Sequence, residues 1–399
     1  MPETTNESVA TRGSEVLVGN YAPAPISLVR GEGCFLFDAE GERYLDLMGG
    51  IATVGLGHGH PRVRAALEAQ AGQLWHVSNL YTTEPQIAAA ERIVANSFAE
   101  RVYFCNSGAE ANEAALKLAR RWHRDRGDDR HEIIAFYGSF HGRTLFTVST
   151  TGTPAYWEGF EPMVPGVLFA EFGDLASVEA VLSERTAAIL IEPVQGESGV
   201  RPAPPGFLSG LRRAADANGC LLIFDEVQVG MGRTGTLFAH EQHDATPDVM
   251  TLAKALGNGI PIGAMCTTER FSKALIPGTH ASTFGGNPLA AACAEAVLAE
   301  LTEGGVLEHA RRVGAWLDEQ LTAMAKRLGD KVVEVRGLGH LRAIELPGPV
   351  GGVIDACRAE GVLVIQAGAN NLRLAPPLVI TEEELAPGLA TLEAAIAAH

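Results

Sequence analysis

Short apolar runs separated by turn residues recur through the middle of the chain. Seven of them predict strands: "RVYFC" (101–105), "EIIAF" (132–136), "GVLFAEF" (166–172), "AAILIEPV" (187–194), "CLLIFDEV" (220–227), "DVMTL" (248–252) and "IGAMCTT" (262–268). The earlier intervals repeat apolar residues with the spacing of amphipathic helices, namely Ala111, Ala114, Ala115, Leu118 and Ala119, then Leu208, Leu211, Ala214 and Ala215. Apolar strands that alternate with helices predict an α/β fold whose mainly parallel sheet is covered on both faces.

The two ends of the chain follow a different pattern. "CFLFDAEGERYLDLMGG" predicts a hairpin that turns at residues 39–42, and the region after about residue 295 predicts one long helix over 289–328. Strands in "VVEVRGLGHLRAIEL" and "VLVIQAGANNLRLAPPLVI" and a last helix follow. We therefore predict a smaller α+β lobe built from both ends. The expected division is 1–64 (N-terminal arm and part of the small lobe), 65–295 (large domain) and 296–399 (C-terminal part of the small lobe).

Composition narrows the class of protein. The 399 residues are 46% apolar, which is enough for one large domain and a smaller lobe. The polar start "MPETTNESVATRG" has neither a basic start nor the apolar run of a signal peptide, so it predicts a loose arm on a cytoplasmic protein. Every apolar run is too short to span a membrane. Six scattered cysteines without C-x-x-C pairs predict buried free thiols.

The charge balance and the histidines argue against two kinds of partner. The 48 acidic residues outnumber the 31 lysines and arginines, for a formal charge of −17, and this makes nucleic acid an unexpected partner. A few local arginines can still bind a small anion. His58 and His60 in "GHGHP" lack a third ligand nearby and are expected to shape a turn rather than to hold a metal.

Candidate chemistry lies at two predicted strand ends. Asp225 follows Phe224 directly, and Lys254 comes two residues after "DVMTL". Ligands of open α/β sheets bind beyond the carboxyl ends of the strands, and a buried carboxylate or amine needs a partner there. Pyridoxal 5'-phosphate (PLP) needs both groups, since a lysine amine binds it covalently and an acid keeps its pyridine nitrogen protonated. The alternative is that Lys254 only extends its amine to water and Asp225 only caps a helix.

Two further segments fit the same cofactor. Ser107, Gly108 and Ala109 stand between a predicted strand and a predicted helix, where free N–H groups can bind a phosphate. The same residues also fit a plain helix cap, with Ser107 paired to Glu110, and the two interpretations are compatible. Phe140 follows the second strand and could stack on a cofactor ring or simply belong to the core.

Nine blocks in order resemble the class III (ω-amino) pyridoxal-phosphate-dependent aminotransferases from about residue 26 onwards: "LGHGHP", "SNLYTTEPQ", "NSGAEANEAALKLAR", "SFHGRT", "EPVQGESG", "FDEVQVGMGRTG", "AKALGNGIPIGA", "STFGGNP" and "LRLAPPL". The resemblance implies the fold-type-I architecture of PLP-dependent transferases. It also implies a homodimer whose two chains share each active site.

The resemblance implies roles for individual residues. Lys254 would bind PLP and carry the proton between Cα and C4', and Asp225 would hold the pyridine N–H. The other cofactor contacts would come from Ser107, Gly108 and Ala109 at the phosphate, Phe140 on the ring, Gln228 at the ring hydroxyl and Thr283 of the partner chain. The implied substrate-binding residues are Arg143, Glu197, Arg373 and Ser282.

The resemblance also implies the reaction. The ω-amino group of N2-acetylornithine would pass to 2-oxoglutarate, with ornithine, succinylornithine and 4-aminobutyrate as alternative donors. Arg143 would bind the carboxylate distal to the reacting amine, and Arg373 the α-carboxylate of glutamate, with Glu197 neutralising Arg373 in between. A pyridoxal-binding regulator without catalysis is the alternative from another class. Two departures, His340 and Ala343, concern the packing of the small lobe.

Overall fold

Strands in four sheets organise the protein, whose computed structural model describes residues 5–399. In chain order the strands are β1 Leu28–Glu32, β2 Phe35–Asp38, β3 Arg43–Asp46, β4 Arg101–Cys105, β5 Glu132–Phe136, β6 Val167–Ala170, β7 Thr186–Ile191, β8 Val194–Gln195, β9 Arg201–Pro202, β10 Leu221–Asp225, β11 Val249–Leu252, β12 Gly263–Thr267, β13 Glu334–Leu338, β14 Leu341–Glu345, β15 Val362–Leu363, β16 Ile365–Gln366 and β17 Asn371–Leu374. The largest sheet has the order β4-β12-β11-β10-β7-β5-β6, and only β12 runs antiparallel to its neighbours. All seven predicted strands are in it, so the predicted mainly parallel sheet is confirmed.

Helices cover this sheet and complete the lobe at the chain ends. They are α1 Asn6–Val16, α2 Gly49–Ala52, α3 Pro61–Ala71, α4 Glu84–Ala95, α5 Gly108–Arg124, α6 Leu145–Thr150, α7 Leu175–Val181, α8 Phe207–Asn218, α9 Glu269–Ser272, α10 Pro288–Glu303, α11 Val306–Leu328, α12 Gly351–Ala359 and α13 Glu382–Ala398. The two periodic segments are confirmed as α5 and α8. The single helix predicted over 289–328 is wrong, because the chain breaks at Gly304 and Gly305, where Gly305 has a φ of 78°.

The central sheet is buried on both faces. In β10, Leu221 and Ile223 pack in the core that contains α5, and Leu222 and Phe224 pack in the core that contains α8. Successive strand residues point to opposite faces, so a sheet between two helical layers needs apolar residues at every position. This explains why the central strands are continuous apolar runs.

The small lobe joins the two ends of the chain. The predicted hairpin is confirmed by β2 and β3, and β3 pairs in parallel with β15 from the C-terminal region. A second sheet has the order β13-β14-β17-β16. One apolar core beneath them includes Leu45 and Leu47 from the N-terminal part and Val362 and Leu372 from the C-terminal part. The division at 64/65 and 295/296 stays a prediction.

The start of the chain is not the loose arm that the sequence predicted. Residues 1–4 lie outside the described part, and Asn6–Val16 form α1, which Thr5 caps. The Asn6 side chain donates to Asp38 at 2.8 Å and accepts the Ser27 N–H at 2.7 Å. No residue of α1 is fully buried, and polar contacts of Asn6 join its start to the segments around Ser27 and Asp38. An apolar pattern could not have predicted them.

The cysteines and the lengths of the apolar helices can also be compared with the sequence predictions. All six cysteines are free and buried, as predicted. Within residues 5–399, no helix combines the length and the apolar character that crossing a bilayer requires.

His340, one of the two departures, is completely buried in the small lobe. Its Nε2 lies 3.1 Å from the Ala310 carbonyl oxygen, and its backbone N–H donates to the Arg233 carbonyl at 2.9 Å. Burial, together with the charge of Arg233 nearby, lowers the pKa of His340 from 6.5 to about 3. The folded protein therefore holds this ring neutral.

We expect His340→Leu to make the stability of the protein decrease less steeply as the pH is lowered. Between the unfolded pKa of 6.5 and the folded value of about 3, His340 is protonated in the unfolded state and neutral in the folded state. The free energy of unfolding therefore falls as pH falls through that window. At about pH 5 this group costs roughly 2 kcal/mol. Melting temperatures of the wild type and variant across the window measure the effect. His131→Leu, at a histidine whose side chain is 42% exposed, is the control and should keep the wild-type slope. Equal slopes for wild type and His340→Leu would contradict the prediction.

Candidate active site

A cavity of about 410 Å³ opens beyond the carboxyl ends of β10 and β11, where the sequence places Asp225 and Lys254. Its walls come from the loops after β4, β5, β7, β10 and β11. Nine predicted site residues line it: Ser107, Gly108, Ala109, Phe140, Arg143, Glu197, Asp225, Gln228 and Lys254. We call this cavity the cleft.

Asp225 is the buried anion of the cleft. It is 4% exposed, and its Oδ2 accepts from Asn112 Nδ2 at 2.7 Å and lies 2.8 Å from His141 Nδ1. Its Oδ1 accepts the Val227 N–H at 3.0 Å. A buried carboxylate with this many partners is fixed in orientation and remains able to accept one more donor. The cleft thus presents a rigid acceptor for a cationic N–H group.

Lys254 begins a short helical turn, Lys254–Leu256, two residues after β11. Its φ of 44° lies in the left-handed region, which a residue with a side chain adopts only when its surroundings impose it. The turn is anchored by Asn258, whose side chain accepts the Leu56 N–H at 2.7 Å and donates to the Gly57 carbonyl at 3.0 Å. The backbone therefore fixes the direction in which the lysine enters the cleft.

Burial tunes two titratable groups beside each other. Desolvation lowers the pKa of Lys254 from 10.5 to about 8, although the nearby carboxylates, Glu197 first among them, act in the opposite direction. Burial, reinforced by the charge of Asp225, raises the pKa of Glu192 well above its usual range. An amine with a lowered pKa has a larger neutral, nucleophilic fraction near neutral pH.

The N-terminus of α5 forms one wall of the cleft. Ser107 Oγ accepts the Glu110 N–H at 3.2 Å and the Ser107 carbonyl accepts the Ala111 N–H, so both the cap and the helix start are as predicted. These bonds leave the N–H groups of Gly108 and Ala109 available at the positive end of a helix. An anion bound there would meet two aligned donors.

Arg373 and Glu197 form an ion pair at the edge of the cleft. Arg373 Nη1 donates to Glu197 Oε1 at 2.6 Å, and Gln228 Nε2 donates to the same oxygen at 2.9 Å. Burial acts to raise the pKa of Glu197, but the positive charges of Arg373 and Lys254 outweigh it and hold that pKa below its usual range. The arginine itself is 1% exposed and reaches the cleft through this pair.

Arg143 is an exposed cation that lines the cleft. Its guanidinium carbon lies 3.8 Å from the centre of the Tyr156 ring and 5.5 Å from that of Phe140. Phe140 in turn meets Tyr156 edge to face, with 6.0 Å between the ring centres. Aromatic faces hold the guanidinium while its N–H groups stay free for a carboxylate.

Three predicted residues do not line the cleft of their own chain: Arg373, described above, Ser282 and Thr283. Ser282 Oγ accepts from Asn106 Nδ2 at 3.2 Å and from the Gly285 N–H at 3.0 Å, so it touches a lining residue without reaching the cavity. Thr283 is exposed beside it. Its role towards a partner's cofactor stays a prediction.

Sequence reasoning missed three polar residues of the cleft. They are Asn112, which joins Asp225 to Thr251 through a 2.8 Å bond from Thr251 Oγ1; His141; and Glu192, whose Oε2 accepts the Phe140 N–H at 3.1 Å. The available signal was a polar residue inside or directly after a buried apolar pattern, since Asn112 interrupts the alanine face of α5 and Glu192 follows β7. Their role in the site is visible only once the structure places them next to Asp225.

The histidines of "GHGHP" have the expected local role. His58 Nε2 lies 2.8 Å from Asp46 Oδ2, and its backbone bridges to Gly33, so it fixes the turn before α3. His60 directly precedes that helix. Residues 5–399 contain no group of three or more side chains suited to hold a metal ion.

The chain is similar to proteins of known name. Residues 18–396 match the family Aminotransferase class-III. The chain is 48% identical to acetylornithine aminotransferase 1 of Bradyrhizobium diazoefficiens over 95% of this chain and 94% of that protein, and 47% identical to succinylornithine transaminase of Salmonella typhimurium over 94% and 93%. A solved structure of ornithine aminotransferase from Toxoplasma gondii, with partial occupancy of PLP at its active site, superposes with a TM-score of 0.96 at 32% identity and covers 100% of this chain and 95% of its own.

These similarities and the geometry of the cleft agree on one class of enzyme, the PLP-dependent aminotransferases. Within it, the chain belongs to the class-III aminotransferase family. The resemblance found in the nine sequence blocks is confirmed, as is the fold-type-I architecture. Its substrates are accordingly amino acids or amines and keto acids.

The cleft fits PLP on its own geometry. A Cβ at Gly108 would lie 2.7 Å from Val227, and one at Gly142 would lie 2.7 Å from Ala109, so glycines keep the backbone close around the cavity. The free N–H groups of α5 suit a phosphate, Asp225 suits a protonated ring nitrogen, and the Lys254 amine suits an aldehyde. Each polar part of the cofactor has a counterpart.

Proposed function

We propose that this enzyme transfers the ω-amino group of N2-acetylornithine to 2-oxoglutarate, giving N-acetylglutamate semialdehyde and glutamate. The Glu197–Arg373 pair carries the proposal, because an enzyme that alternates between an ω-amine and an α-amino acid needs a carboxylate site that can be masked. The names of two relatives, one acting on acetylornithine and one on succinylornithine, support an N2-acylated donor. A role in arginine biosynthesis fits this reaction.

We propose that the residues of the cleft hold PLP as follows. Gly108 and Ala109 bind its phosphate with Ser107, and Phe140 lies on its ring. Asp225 holds the proton on the pyridine nitrogen, which Asn112 and His141 support by fixing the carboxylate. Gln228 is placed for the ring hydroxyl. Bound in this way, PLP supplies an electron sink for the carbon that loses its proton.

Lys254 is proposed as the proton carrier. Its Nζ, with a pKa of about 8, would remove the proton from the substrate carbon that bears the amine and would hold it for return to the bound cofactor. An amine whose pKa lies near the working pH can both accept and donate. The carboxylates of Glu197 and Asp225 nearby offset its positive charge.

The two arginines are proposed to sort the substrates. Arg143 binds the carboxylate farthest from the reacting amine, which is the α-carboxylate of N2-acetylornithine or the γ-carboxylate of glutamate. Arg373 binds the α-carboxylate of glutamate, after Glu197 has left it. While the acylated donor is bound, Glu197 keeps Arg373 paired at 2.6 Å.

We also propose a cytoplasmic homodimer with shared active sites. Apolar side chains near Thr283 support it: Leu80 and Tyr81 are 82% and 72% exposed, and Phe284 is 59% exposed. Asn79 joins the two segments through the Ser282 and Gly285 carbonyls at 3.2 and 3.0 Å. An exposed apolar surface of this kind marks a protein interface. Thr283 and Ser282 would then lie next to the partner's cleft. The six free thiols suit a reducing compartment.

The visible spectrum of the purified enzyme tests the donor. We expect N2-acetylornithine alone, without a keto acid, to bleach the cofactor band faster than ornithine, succinylornithine or 4-aminobutyrate do. Adding 2-oxoglutarate should restore the band. A faster response to another donor would transfer the proposal to that donor, and a protein that takes up PLP but bleaches with none of them would favour the non-catalytic regulator.

Glu197→Ala is expected to change the donor preference. An unmasked Arg373 attracts the α-carboxylate of any bound amino acid, so kcat/KM for N2-acetylornithine should fall relative to that for glutamate by about tenfold or more, as loss of an ion pair to a buried charge implies. The ratio of the two half-reaction rates measures it.

Glu295→Ala is the matched control for Glu197→Ala. Its side chain is 29% exposed against 27%, and it pairs with Arg92 at 2.7 Å, between α10 and α4. This variant should keep the wild-type ratio. A wild-type ratio in Glu197→Ala as well would remove the masking role.

A further inference from the structure

A second arginine, the half-buried Arg336, holds the loop that carries Glu197. Residues 196–200 connect β8 to β9, which pair as a two-stranded hairpin, and lie against the small lobe, where Arg336 Nε donates to the Gly199 carbonyl at 2.6 Å. At the other end of the loop, Arg373 Nη1 donates to the Gly196 carbonyl at 3.1 Å. Two arginines of the small lobe therefore bracket Glu197.

The register of the small sheet explains why both arginines reach the same loop. Arg336 in β13 lies opposite Ala343 in β14, and Ala343 lies opposite Arg373 in β17. Residues opposite one another point to the same face of a sheet, so the two arginines flank a small residue. Ala343 leaves room between two long cations, which gives this departure in the sequence a physical role.

Arg336 is fixed as a rigid fork. Its side chain is 10% exposed, and Nη1 donates to Glu345 at 2.6 Å and to Glu334 at 2.7 Å. Nη2 donates to Asn371 Oδ1, two residues before Arg373 in the same strand. Carboxylates on one side and an amide on the other hold the guanidinium so that Nε points at the loop.

The loop itself is built for this contact. Gly199 has a φ of 97°, and a Cβ there would lie 2.6 Å from Arg336 Nη2 and 2.8 Å from Asn371 Nδ2. The next residue, Val200, is fully buried with a φ of 52°. A backbone held in the left-handed region at two successive positions needs external contacts to keep it there.

We propose that Arg336 is a positioning residue for donor selection. It holds the loop so that Glu197 stays within reach of Arg373 during both half-reactions. The inference rests on the masking role of Glu197 proposed above. When a substrate carboxylate displaces Glu197, the loop loses its bond through that side chain. The Arg336–Gly199 bond remains and returns Glu197 to Arg373 once the substrate leaves. Arg336 touches neither substrate nor cofactor.

Arg336→Met tests the proposal. We expect the ratio of kcat/KM for N2-acetylornithine to that for glutamate to fall by about tenfold, the factor that corresponds to losing one hydrogen bond to a charged group. The direction is that expected for Glu197→Ala. A role limited to stability would lower both half-reactions together and leave the ratio unchanged.

Arg342→Met is the control for lost stability. Arg342 lies one residue from Ala343 on the opposite face of the same sheet, is 9% exposed and pairs with Asp318 at 2.5 Å. It also donates to backbone carbonyls, those of Gly337 and Gly339, but not to the Glu197 loop. Its variant should lower the melting temperature as Arg336→Met does and keep the wild-type donor ratio.

Two more variants test whether Arg336 acts through Glu197 and not through the stability of the fold. Arg336→Lys keeps a cation opposite Glu345 but has no planar fork, so we expect a shifted ratio in a folded protein even if the methionine variant does not fold. The double variant Glu197→Ala/Arg336→Met should have the ratio of Glu197→Ala alone, because both changes act through one contact.

The outcomes separate the two proposals. A changed ratio in Glu197→Ala with a wild-type ratio in the folded Arg336 variants would overturn the role of Arg336 alone. Multiplying effects in the double variant would overturn it too. A wild-type ratio in Glu197→Ala itself would overturn the masking role and, with it, this inference.

Discussion

Lys254→Ala is expected to abolish turnover, with kcat reduced by at least about 10⁴-fold, the upper range for loss of a general acid–base group. The residue is the proposed covalent attachment point as well as the proposed proton carrier, and no other lysine lines the cleft within residues 5–399. Steady-state assays with N2-acetylornithine and 2-oxoglutarate measure the loss. The cofactor's absorbance after desalting reports whether PLP is still held covalently.

Lys273→Ala controls for removing a lysine. Lys273 is 71% exposed and lies 3.8 Å from Glu269, away from the cleft. Its variant should keep full activity and the cofactor band. Turnover at the wild-type level in Lys254→Ala would mean that another amine does this work and would refute the site assignment.

Asp225→Asn is expected to lower kcat by about 10²–10³-fold, the range seen when one preorganised electrostatic contact is removed from an active site. The change keeps the size of the side chain and removes the charge that would stabilise a proton on the pyridine nitrogen. Asn112 and His141 would still meet a polar group, so the fold should survive. Both half-reactions should slow together, because both depend on the same electron sink.

Asp248→Asn is the matched control for the Asp225 variant. Asp248 lies just before β11, accepts the Leu222 N–H at 2.8 Å and pairs with Arg212 at 2.9 Å. Its loss should cost stability and leave the pattern of half-reaction rates intact. Equal kcat values for the Asp225 variant and wild type would show that the carboxylate has no electrostatic role in the reaction.

Particular residues show why part of the site was predictable. Asp225 ends one apolar strand and Lys254 comes two residues after another, and a charged group at such a buried position is costly unless it has a function. The helix start at Ser107 follows from capping residues that are neighbours in sequence. Local signals of this kind can be interpreted without knowing the fold.

The groups that support these residues could not be found in the same way. Asn112 and His141 reach Asp225 across 113 and 84 residues of chain, and Arg336 reaches Gly199 across 137. Nothing in the flanking residues of any of them indicates the partner. The break at Gly304–Gly305 and the polar anchoring of α1 were missed for related reasons, since neither alters an apolar pattern strongly.

The sequence by itself determined the central sheet, the pairing of the two chain ends in a small lobe, the cofactor class and the residues at the two strand ends. It could do so because burial on both faces of a sheet demands continuous apolar runs, and exceptions to those runs stand out. The tertiary structure alone decided that Asn112 and His141 fix Asp225, that burial lowers the pKa of Lys254 to about 8, and that two arginines bracket one loop. Distances and desolvation arise only when distant segments meet, so no linear pattern contains them.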